Sequence, residues 1–574
     1  MAKILLVAVN AAYNHTNLAV RSICEYVKQN DSSVNIDFVE FTINQKVSDI
    51  LRGIYESKAD LVLFCTYIWN SEIIQKILPE VKKILPDCMI GAGGPEFGFF
   101  AEGYLSQIQD LDFVIKGEGE QTVLEIAQNF TENKSDFLQN IRGIYFRKSE
   151  QIIFNGERDL ICDLSTLPFA YPQIDFPDNL IYYYESSRGC PYSCSYCMSS
   201  LDKRVRFMPL ERVFDDLQRF LDANVRLVKF VDRTYNLNPE RYISIWKYIV
   251  EHHNKKTMFH FEIEAEFLSE EALEFLQTVP ANVMQFEIGV QSANKKTLQS
   301  ICRSTGIEKI AQNVKRIPPT IHKHLDLIAG LPHEDLDSFG KSFDFVMSLK
   351  PDAMQLGFLK VLHGTQMETF AKENGWQWMK NPVYETLSTP YLSYADMIFL
   401  KDVEVVTDAF WNSGEFCKTM NYIEEKIGFW NFFCKIVDEA RKEDVFSAPR
   451  RTLFWFEFLA KRTKLFDSQD KTLKELLRFD YISSGKKGGF PAWYEHRYNK
   501  ENHRLALEQN GGVINARLDF AYSDYEEFSI NPVATTTEEQ NIPCKILFMY
   551  PRRQKDTKDL KTELIEKTKW ILLL

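Results

Sequence analysis

Two long stretches of this chain alternate short apolar runs with segments of helical spacing, which restricts it to an α/β architecture. In residues 1–135 the runs are Ile4–Val9, Ile36–Phe41, Leu61–Cys65, Met89–Ala92 and Phe113–Ile115. Between them, Val47, Ile50, Leu51 and Ile54, and then Ile73, Ile74, Ile77, Leu78 and Val81, recur at helical spacing. Apolar strands separated by helices predict a parallel sheet covered on both faces, here a doubly wound, Rossmann-like domain. Ligands on such sheets bind beyond the carboxyl ends of the strands, where strand order reverses. Those ends are Asn10 to Asn17, Thr66-Tyr67, Gly93-Gly94-Pro95-Glu96 and Gly117-Glu118-Gly119-Glu120. No phosphate loop or dinucleotide fingerprint is present, which argues against a nucleotide there.

The second stretch, 181–375, has runs at Ile181–Glu185, Arg226–Asp232, Met258–Glu264, Val283–Val290, Leu325–Ala329 and Met354–Leu359. Helices are expected between them, including Leu210–Leu221 and Arg241–His252. Six such units predict a partial (β/α)6 barrel, with chemistry at the carboxyl ends of its strands. Polar residues gather there: Asp232-Arg233, Glu262 to Glu266, and Gln291-Ser292. Residues 136–180 read as a connector, with a strand pair at Ile141–Phe146 and Ile152–Phe154. Leu167 to Pro172 is expected to be extended, because each proline disfavours helix at the residue before it.

Between the two stretches, at the end of the first barrel strand, stands Ser187-Arg188-Gly189-Cys190-Pro191-Tyr192-Ser193-Cys194-Ser195-Tyr196-Cys197. Thiolates this tightly spaced can converge on one small metal cluster. Most iron–sulfur clusters take four cysteines, so three leave one iron open to another ligand. Structural zinc normally needs four ligands in spaced pairs, and no second pair is evident. A disulfide would use two of the three and strand the last.

The Cys-x3-Cys-x2-Cys loop resembles the signature of the radical S-adenosylmethionine superfamily. That resemblance implies a [4Fe-4S] cluster on Cys190, Cys194 and Cys197, with S-adenosylmethionine chelating the open iron and being cleaved reductively to a 5′-deoxyadenosyl radical. It implies Tyr196 near the adenine, and Asp232, Glu264 and Gln291 around the rest of S-adenosylmethionine. Gln291 stands where relatives commonly carry Glu, and His333 where they often carry Gly in Gly-Leu-Pro-Gly-Glu. Arg233 and Tyr235 point to a substrate side.

The Gly93-Gly94-Pro95 and Lys116-Gly117-Glu118-Gly119-Glu120 turns, ahead of the cysteine loop, resemble the cobalamin-binding domain of one subgroup. Thr66, Tyr67, Gly93, Gly94, Pro95, Glu118 and Gly119 are the cobalamin candidates this implies. Members that ligate cobalt through histidine carry Asp-x-His-x-x-Gly after the first strand. Here that stretch reads Tyr13-Asn14-His15-Thr16-Asn17-Leu18, which implies cobalamin without histidine ligation.

The chain has 574 residues, long enough for several domains. Its net charge of −12 argues against coating nucleic acid by bulk electrostatics. Eleven cysteines, an odd number and mostly scattered, read as buried thiols in a reducing compartment. No apolar run approaches the ~20 residues of a membrane helix, and the N-terminus reads as a strand, so a cytoplasmic protein is expected. From 376 to 574 the aromatic clusters predict a mainly helical core, with a late strand pair near Leu518–Tyr522 and Ile546–Tyr550. Trp493, Tyr494, His496, Arg497 and Tyr498, after a Gly-Lys break, read as a solvated loop and helix in preference to an RNA-stacking patch.

The arrangement resembles an uncharacterised family that joins these two domains to a tail of unknown role. It implies a cobalamin-dependent radical enzyme, with C-methyl transfer favoured and cyclisation or rearrangement as the close alternative. A methylthiotransferase would carry three more cluster cysteines, and Cys24, Cys65 and Cys88 sit in strand and helix settings instead. A non-catalytic cobalamin or cluster sensor is the remaining alternative. The expected partners are a substrate the sequence does not identify and a low-potential donor such as a ferredoxin or flavodoxin.

Overall fold

The first apolar run becomes β1 (Lys3–Asn10), buried along nearly its whole length. It is central because β2 (Asn35–Thr42) and β3 (Leu61–Cys65) pair with it in parallel on either side. With β4 (Met89–Gly93), β5 (Phe113–Ile115), β6 (Ile144–Lys148) and β7 (Gln151–Phe154), they form a sheet of order β2-β1-β3-β4-β5-β6-β7. Strand order reverses between β1 and β3, which opens a crevice at their carboxyl ends. The strand pair expected in the connector joins this sheet. β6 runs antiparallel to β5 and β7 to β6, so both are the edge of the first sheet. The pairing follows from burial, since Ile144 and Phe146 face the core beside Phe113 and Ile115.

The structure is a computed structural model that describes residues 2–130, 136–148, 151–174, 178–466, 471–485, 489–510, 522–534, 537–550 and 569–573. Its contacts divide the chain into two units, 1–342 with 355–397, and 343–354 with 398–574. The first unit holds the sheet above and a second one built from β8 (Ile181–Tyr184), β11 (Leu227–Phe230), β12 (Met258–Ile263), β13 (Met284–Gln291), β14 (His322–Ala329) and β15 (Ala353–Phe358). Their order, β15-β14-β13-β12-β11-β8, follows the chain, as in an open barrel. One face packs Phe230, Phe261 and Phe286 against Trp246 of the helix Pro239–Glu251. The alternate residues point the other way.

The two sheets are stitched together. The loop after β1 bridges the edge of β8 in parallel, with Ile181 N–H donating to Asn14 O at 2.7 Å and Thr16 Oγ1 to Ile181 O at 2.9 Å. Between β8 and β11, β9 (Ser187–Arg188) and β10 (Arg206–Phe207) pair antiparallel, and the cysteine loop is the excursion they close. A short hairpin, β16 (Gln377–Trp378) and β17 (Thr386–Ser388), follows β15.

The second unit is mainly helical. Helices Cys417–Lys426, Phe429–Lys442, Thr452–Ala460 and Thr472–Ser483 enclose an aromatic core in which Phe410 meets Phe416, Phe432 and Trp455. The late strand pair is corrected to a three-stranded antiparallel sheet of β18 (Ser523–Phe528), β19 (Cys544–Met549) and β20 (Lys569–Leu573). Residues 518–521 of the expected first strand lie outside the described residues, as do 486–488 of the break. The segment Trp493–Tyr498 is a partly exposed loop ahead of the helix Lys500–Gln509, with some of its side chains turned inward. Tyr494 is buried, Arg478 donates to Glu495 O and to Glu526, and His496 stacks on Phe490 at 3.9 Å. Three acidic side chains, Glu475, Asp524 and Glu526, draw this basic segment inward. Among the described residues, no helix is long and apolar enough to cross a membrane.

Candidate functional site

The cysteine loop is shaped by its own backbone and anchored at both ends. Cys190 N–H donates to Asp202 O at 3.0 Å across its base. Gly189 has φ +91°, and a Cβ there would lie 2.2 Å from Arg204 O, so only glycine fits. Further along, Ser195 N–H donates to Ile301 O at 3.0 Å and Met367 N–H to Ser195 O at 2.9 Å, tying the loop to the barrel rim. Cys190 is buried, Cys194 and Cys197 are half-buried, and all three are free thiols.

Two ion-pair systems flank the loop. On the barrel side, Arg303 donates through Nη2 to Glu264 Oε2 at 2.6 Å and Gly289 O at 2.8 Å, while Nη1 lies 3.8 Å from Cys194 Sγ. Burial alone would lower the Arg303 pKa, but Tyr196, Glu264 and Cys194 raise it, so it stays a cation. Burial pushes the Cys194 thiol up, and the Arg303 charge opposes that shift. On the other side, Arg188 reaches Glu120 at 2.6 Å, Glu185 at 2.7 Å and Glu118 at 3.3 Å. Arg206 joins Glu118 at 2.8 Å. Sequence reasoning missed these roles of Arg188, Arg206 and Arg303, because Glu118, Glu120 and Glu264 lie far from them along the chain.

The expected site residues do not all face one space. Asp232 is buried behind the loop and accepts Ser186 N–H at 2.9 Å, Ser186 Oγ at 2.7 Å and Ser187 Oγ at 2.6 Å. Burial raises its pKa to about 6, against the pull of those donors. In this structure it positions the loop. Glu264 lies at the rim, its backbone held by Asn236, which accepts from Glu264 N–H at 2.8 Å and donates to Glu264 O at 2.9 Å. Gln291 sits at a bulge with φ +68°. Its amide folds over Gly289, where a Cβ would be 2.2 Å from Nε2, and its buried Oε1 has no partner. Tyr196 packs against the cluster of Leu298, Leu331 and Val361.

In the first domain, Thr66 is fully buried and turned inward. Its N–H and hydroxyl both donate to Gly93 O, at 2.7 and 2.8 Å, and Phe97 N–H donates back to the hydroxyl at 3.1 Å. Gly94, at φ +102°, would place a Cβ 2.5 Å from Thr66 O. Thr66 therefore shapes the turn. Glu118 is engaged on both sides: one oxygen takes Arg206 and Arg188, and the other accepts Ile161 N–H at 2.8 Å. Gly119 allows close packing, since a Cβ there would meet Ile23 at 2.7 Å. Tyr67 stacks on the exposed Trp69 at 4.2 Å, and Gly117 is open on its Cβ side. His15 Nδ1 lies 2.7 Å from Tyr183 Oη on the barrel sheet. Beside it is a cavity of about 190 Å³ lined by Asn10, Tyr13, Thr16, Glu40 and Gln45. Cys24, Cys65 and Cys88 are buried, whereas Cys162, Cys302 and Cys417 are exposed, contrary to a uniformly buried set.

These residues fit an iron–sulfur cluster better than a lone ion. Among the described residues, no group of three His, Cys, Asp or Glu side chains is set to hold a single metal ion. Cysteines that bind a cluster need no common ion. The cationic Arg303 beside Cys194 and the unpartnered Gln291 acceptor at the same rim suit a thiolate cluster and a polar ligand on it.

An open parallel barrel with a three-cysteine loop at its first strand, joined to a doubly wound domain, defines a class of cluster-bearing proteins with an accessory cofactor domain. Residues 4–127 match the B12 binding domain, 184–346 the Radical SAM superfamily and 372–559 a protein of unknown function, DUF4080. The chain thus carries, in order, segments that match a B12 binding domain, the Radical SAM superfamily and a domain of unknown function. It is 23% identical over 343 residues to "Uncharacterized methyltransferase PH0819" of Pyrococcus horikoshii, covering 57% of this chain and 72% of that protein. It is 23% identical over 315 residues to "Cobalamin-dependent radical SAM methyltransferase TokK" of Streptomyces tokunonensis, covering 51% of this chain and 45% of that protein. The fold resembles the cobalamin-dependent S-adenosylmethionine radical enzyme OxsB at TM-score 0.60 and 14% identity, covering 84% of this chain and 79% of the other.

Proposed function

We propose that this chain is a cobalamin-dependent radical S-adenosylmethionine enzyme that methylates carbon. The single observation that carries the reading is the loop of Cys190, Cys194 and Cys197 on the barrel rim, in a unit whose β1 loop reaches the same sheet through His15. The bound cofactors supply one-electron chemistry and a transferable methyl group. Cys190, Cys194 and Cys197 hold the cluster, and Arg303 lowers the cost of gathering thiolate charge in a half-buried loop. Tyr196, Glu264 and Gln291 hold S-adenosylmethionine, with Asp232 and Arg241 fixing the loop from behind; Arg241 donates to Met208 O at 2.7 Å and Ser186 O at 3.0 Å. Tyr67, Gly93, Gly94 and Pro95 form the cobalamin face, while Thr66, Glu118 and Gly119 shape its turns. His15 is engaged by Tyr183, which fits cobalamin held without it as a ligand.

Eleven cysteines with no disulfide among the described residues support a reducing, cytoplasmic setting in which a ferredoxin or flavodoxin supplies electrons. The test is anaerobic turnover of the reconstituted protein with S-adenosylmethionine and a strong reductant, with and without cobalamin. 5′-Deoxyadenosine from the wild type but not from Cys194→Ala supports the radical assignment. S-adenosylhomocysteine formed only with cobalamin supports methyl transfer. Deoxyadenosine alone favours cyclisation or rearrangement, and neither product from cluster-loaded protein favours a sensor.

A further inference from the structure

The face of the barrel sheet turned away from its helices is unusually charged. Strand register sets it out in rows. Lys229, His260 and Gln285 are neighbours across β11, β12 and β13, and Glu262, Glu287 and His324 across β12, β13 and β14. Asp326 stands beside Gly289 in the next row. Side chains alternate along a strand, so these groups share the face that carries Tyr183, which His15 meets from the first domain.

The charges do not balance locally. Glu262 and Glu287 are register partners, and like charges side by side on adjacent strands repel. The two near donors both go to Glu287 Oε2, the Lys229 ammonium at 3.1 Å and His260 Nε2 at 2.9 Å. Among the described residues, no hydrogen-bond donor reaches the Glu262 carboxylate, although Lys229 of β11 and Arg233 beyond its end oppose its charge. Asp326 Oδ1 is buried without a hydrogen-bond partner, and His324 Nε2 is 3.7 Å away. Burial, then Glu287 and Glu262, raise the Asp326 pKa to about 8. Gln291, given above to S-adenosylmethionine, closes this end of the face. Gln291 is only 9% exposed, lies over the side-chain position of Gly289 on this face, and leaves Oε1 unpartnered. The β12–β14 end of the face thus presents acceptors in excess of donors.

We propose that this face seats the substrate and selects a positively charged nitrogen group, an ammonium or guanidinium, held by Glu262 and Asp326. The inference rests on the reading that the barrel is the reaction chamber. A cationic donor relieves the repulsion between the acids and satisfies Asp326 Oδ1, while a carboxylate or phosphate in the same place would add to the repulsion.

The test is calorimetric titration of the full-length, cluster-loaded protein with four probes of matched length: 1,5-diaminopentane, 5-amino-1-pentanol, 1,5-pentanediol and glutarate. The diamine is expected to bind most tightly, and Glu262→Gln and Asp326→Asn each to weaken it by roughly tenfold without changing diol binding. Both substitutions are near-isosteric, and unchanged melting temperatures check that the fold is kept. Absence of diamine binding, glutarate or diol binding as tight as the diamine, or diamine affinity unchanged in both variants overturns the proposal. Diamine binding by a wild type that forms no 5′-deoxyadenosine leaves this site standing and removes the catalytic reading. Deoxyadenosine formation without diamine binding does the reverse.

Discussion

Arg188, in the neck of the cysteine loop, pairs with Glu120 of the first domain at 2.6 Å, both largely withdrawn from solvent. The turn that resembles a cobalamin motif therefore also clamps the cluster loop. Burial would raise the Glu120 carboxyl, but the Arg188 charge and hydrogen bond dominate and hold it below its ordinary value. A lowered acid contributes stability that is present above its unfolded pKa and lost as pH falls through the folded one. Arg188→Ala should destabilise the first unit by about 3–5 kcal/mol, the usual cost of stranding a buried partner, read as a lower melting temperature. The difference from wild type should shrink as pH falls through and below the ordinary carboxylate range, toward the lowered value at which Glu120 protonates in the wild type too.

Iron content separates the cluster cysteines from the rest. Cys190→Ala, Cys194→Ala and Cys197→Ala should each lose the visible absorption of the reconstituted protein. Cys24→Ala, Cys65→Ala and Cys88→Ala should keep it, which also excludes a second cluster site in the first domain.

Arg303 touches both Cys194 and Glu264, so its charge should tune whatever the thiols hold. Removing a nearby cation disfavours added negative charge. Arg303→Met is expected to shift the cluster's reduction potential to more negative values, followed by anaerobic redox titration with electron spin resonance. A potential unchanged from wild type would show that Arg303 serves only Glu264.

In the second unit, Asp480 accepts Lys418 N–H at 3.0 Å and Thr419 N–H at 2.7 Å, capping the helix Cys417–Lys426 from outside. Asp480→Ala should cost about 1–3 kcal/mol in chemical denaturation. Burial raises the Asp480 pKa from 3.8 to about 7 against those hydrogen bonds. A raised acid binds its proton more tightly when folded, so wild-type stability should decline between about pH 4 and 7. Asp480→Asn should not show that decline.

Periodicity made the strands legible: Leu61–Cys65 and Phe113–Ile115 lie where the apolar runs put them, since a buried strand needs little beyond local hydrophobicity. It could not tell that Ile144–Lys148 and Gln151–Phe154 belong to the first sheet, because edge pairing is set by partners distant in sequence. His333 shows how resemblance and physics meet. It has φ +62°, the conformation that glycine takes readily, and its ring is held by Tyr391 at 2.7 Å. The cysteine loop was legible from spacing alone. Its charged supports were not, because Arg188 and Arg303 act through carboxylates that local sequence does not connect to them. Thr66 and Asp232 were legible as strand-end polar residues, but only the fold shows that their hydrogen bonds turn inward.

The bridge from Asn14–Thr16 to Ile181 has a consequence for how the protein can be cut. β8 is the last strand of its sheet, and this loop occupies part of its outer edge. A barrel produced without residues 1–154 would bare that edge, with Tyr183 no longer met by His15, and unpaired edges recruit other chains. The isolated barrel should self-associate, so the first domain acts as a cap against aggregation as well as a cofactor carrier.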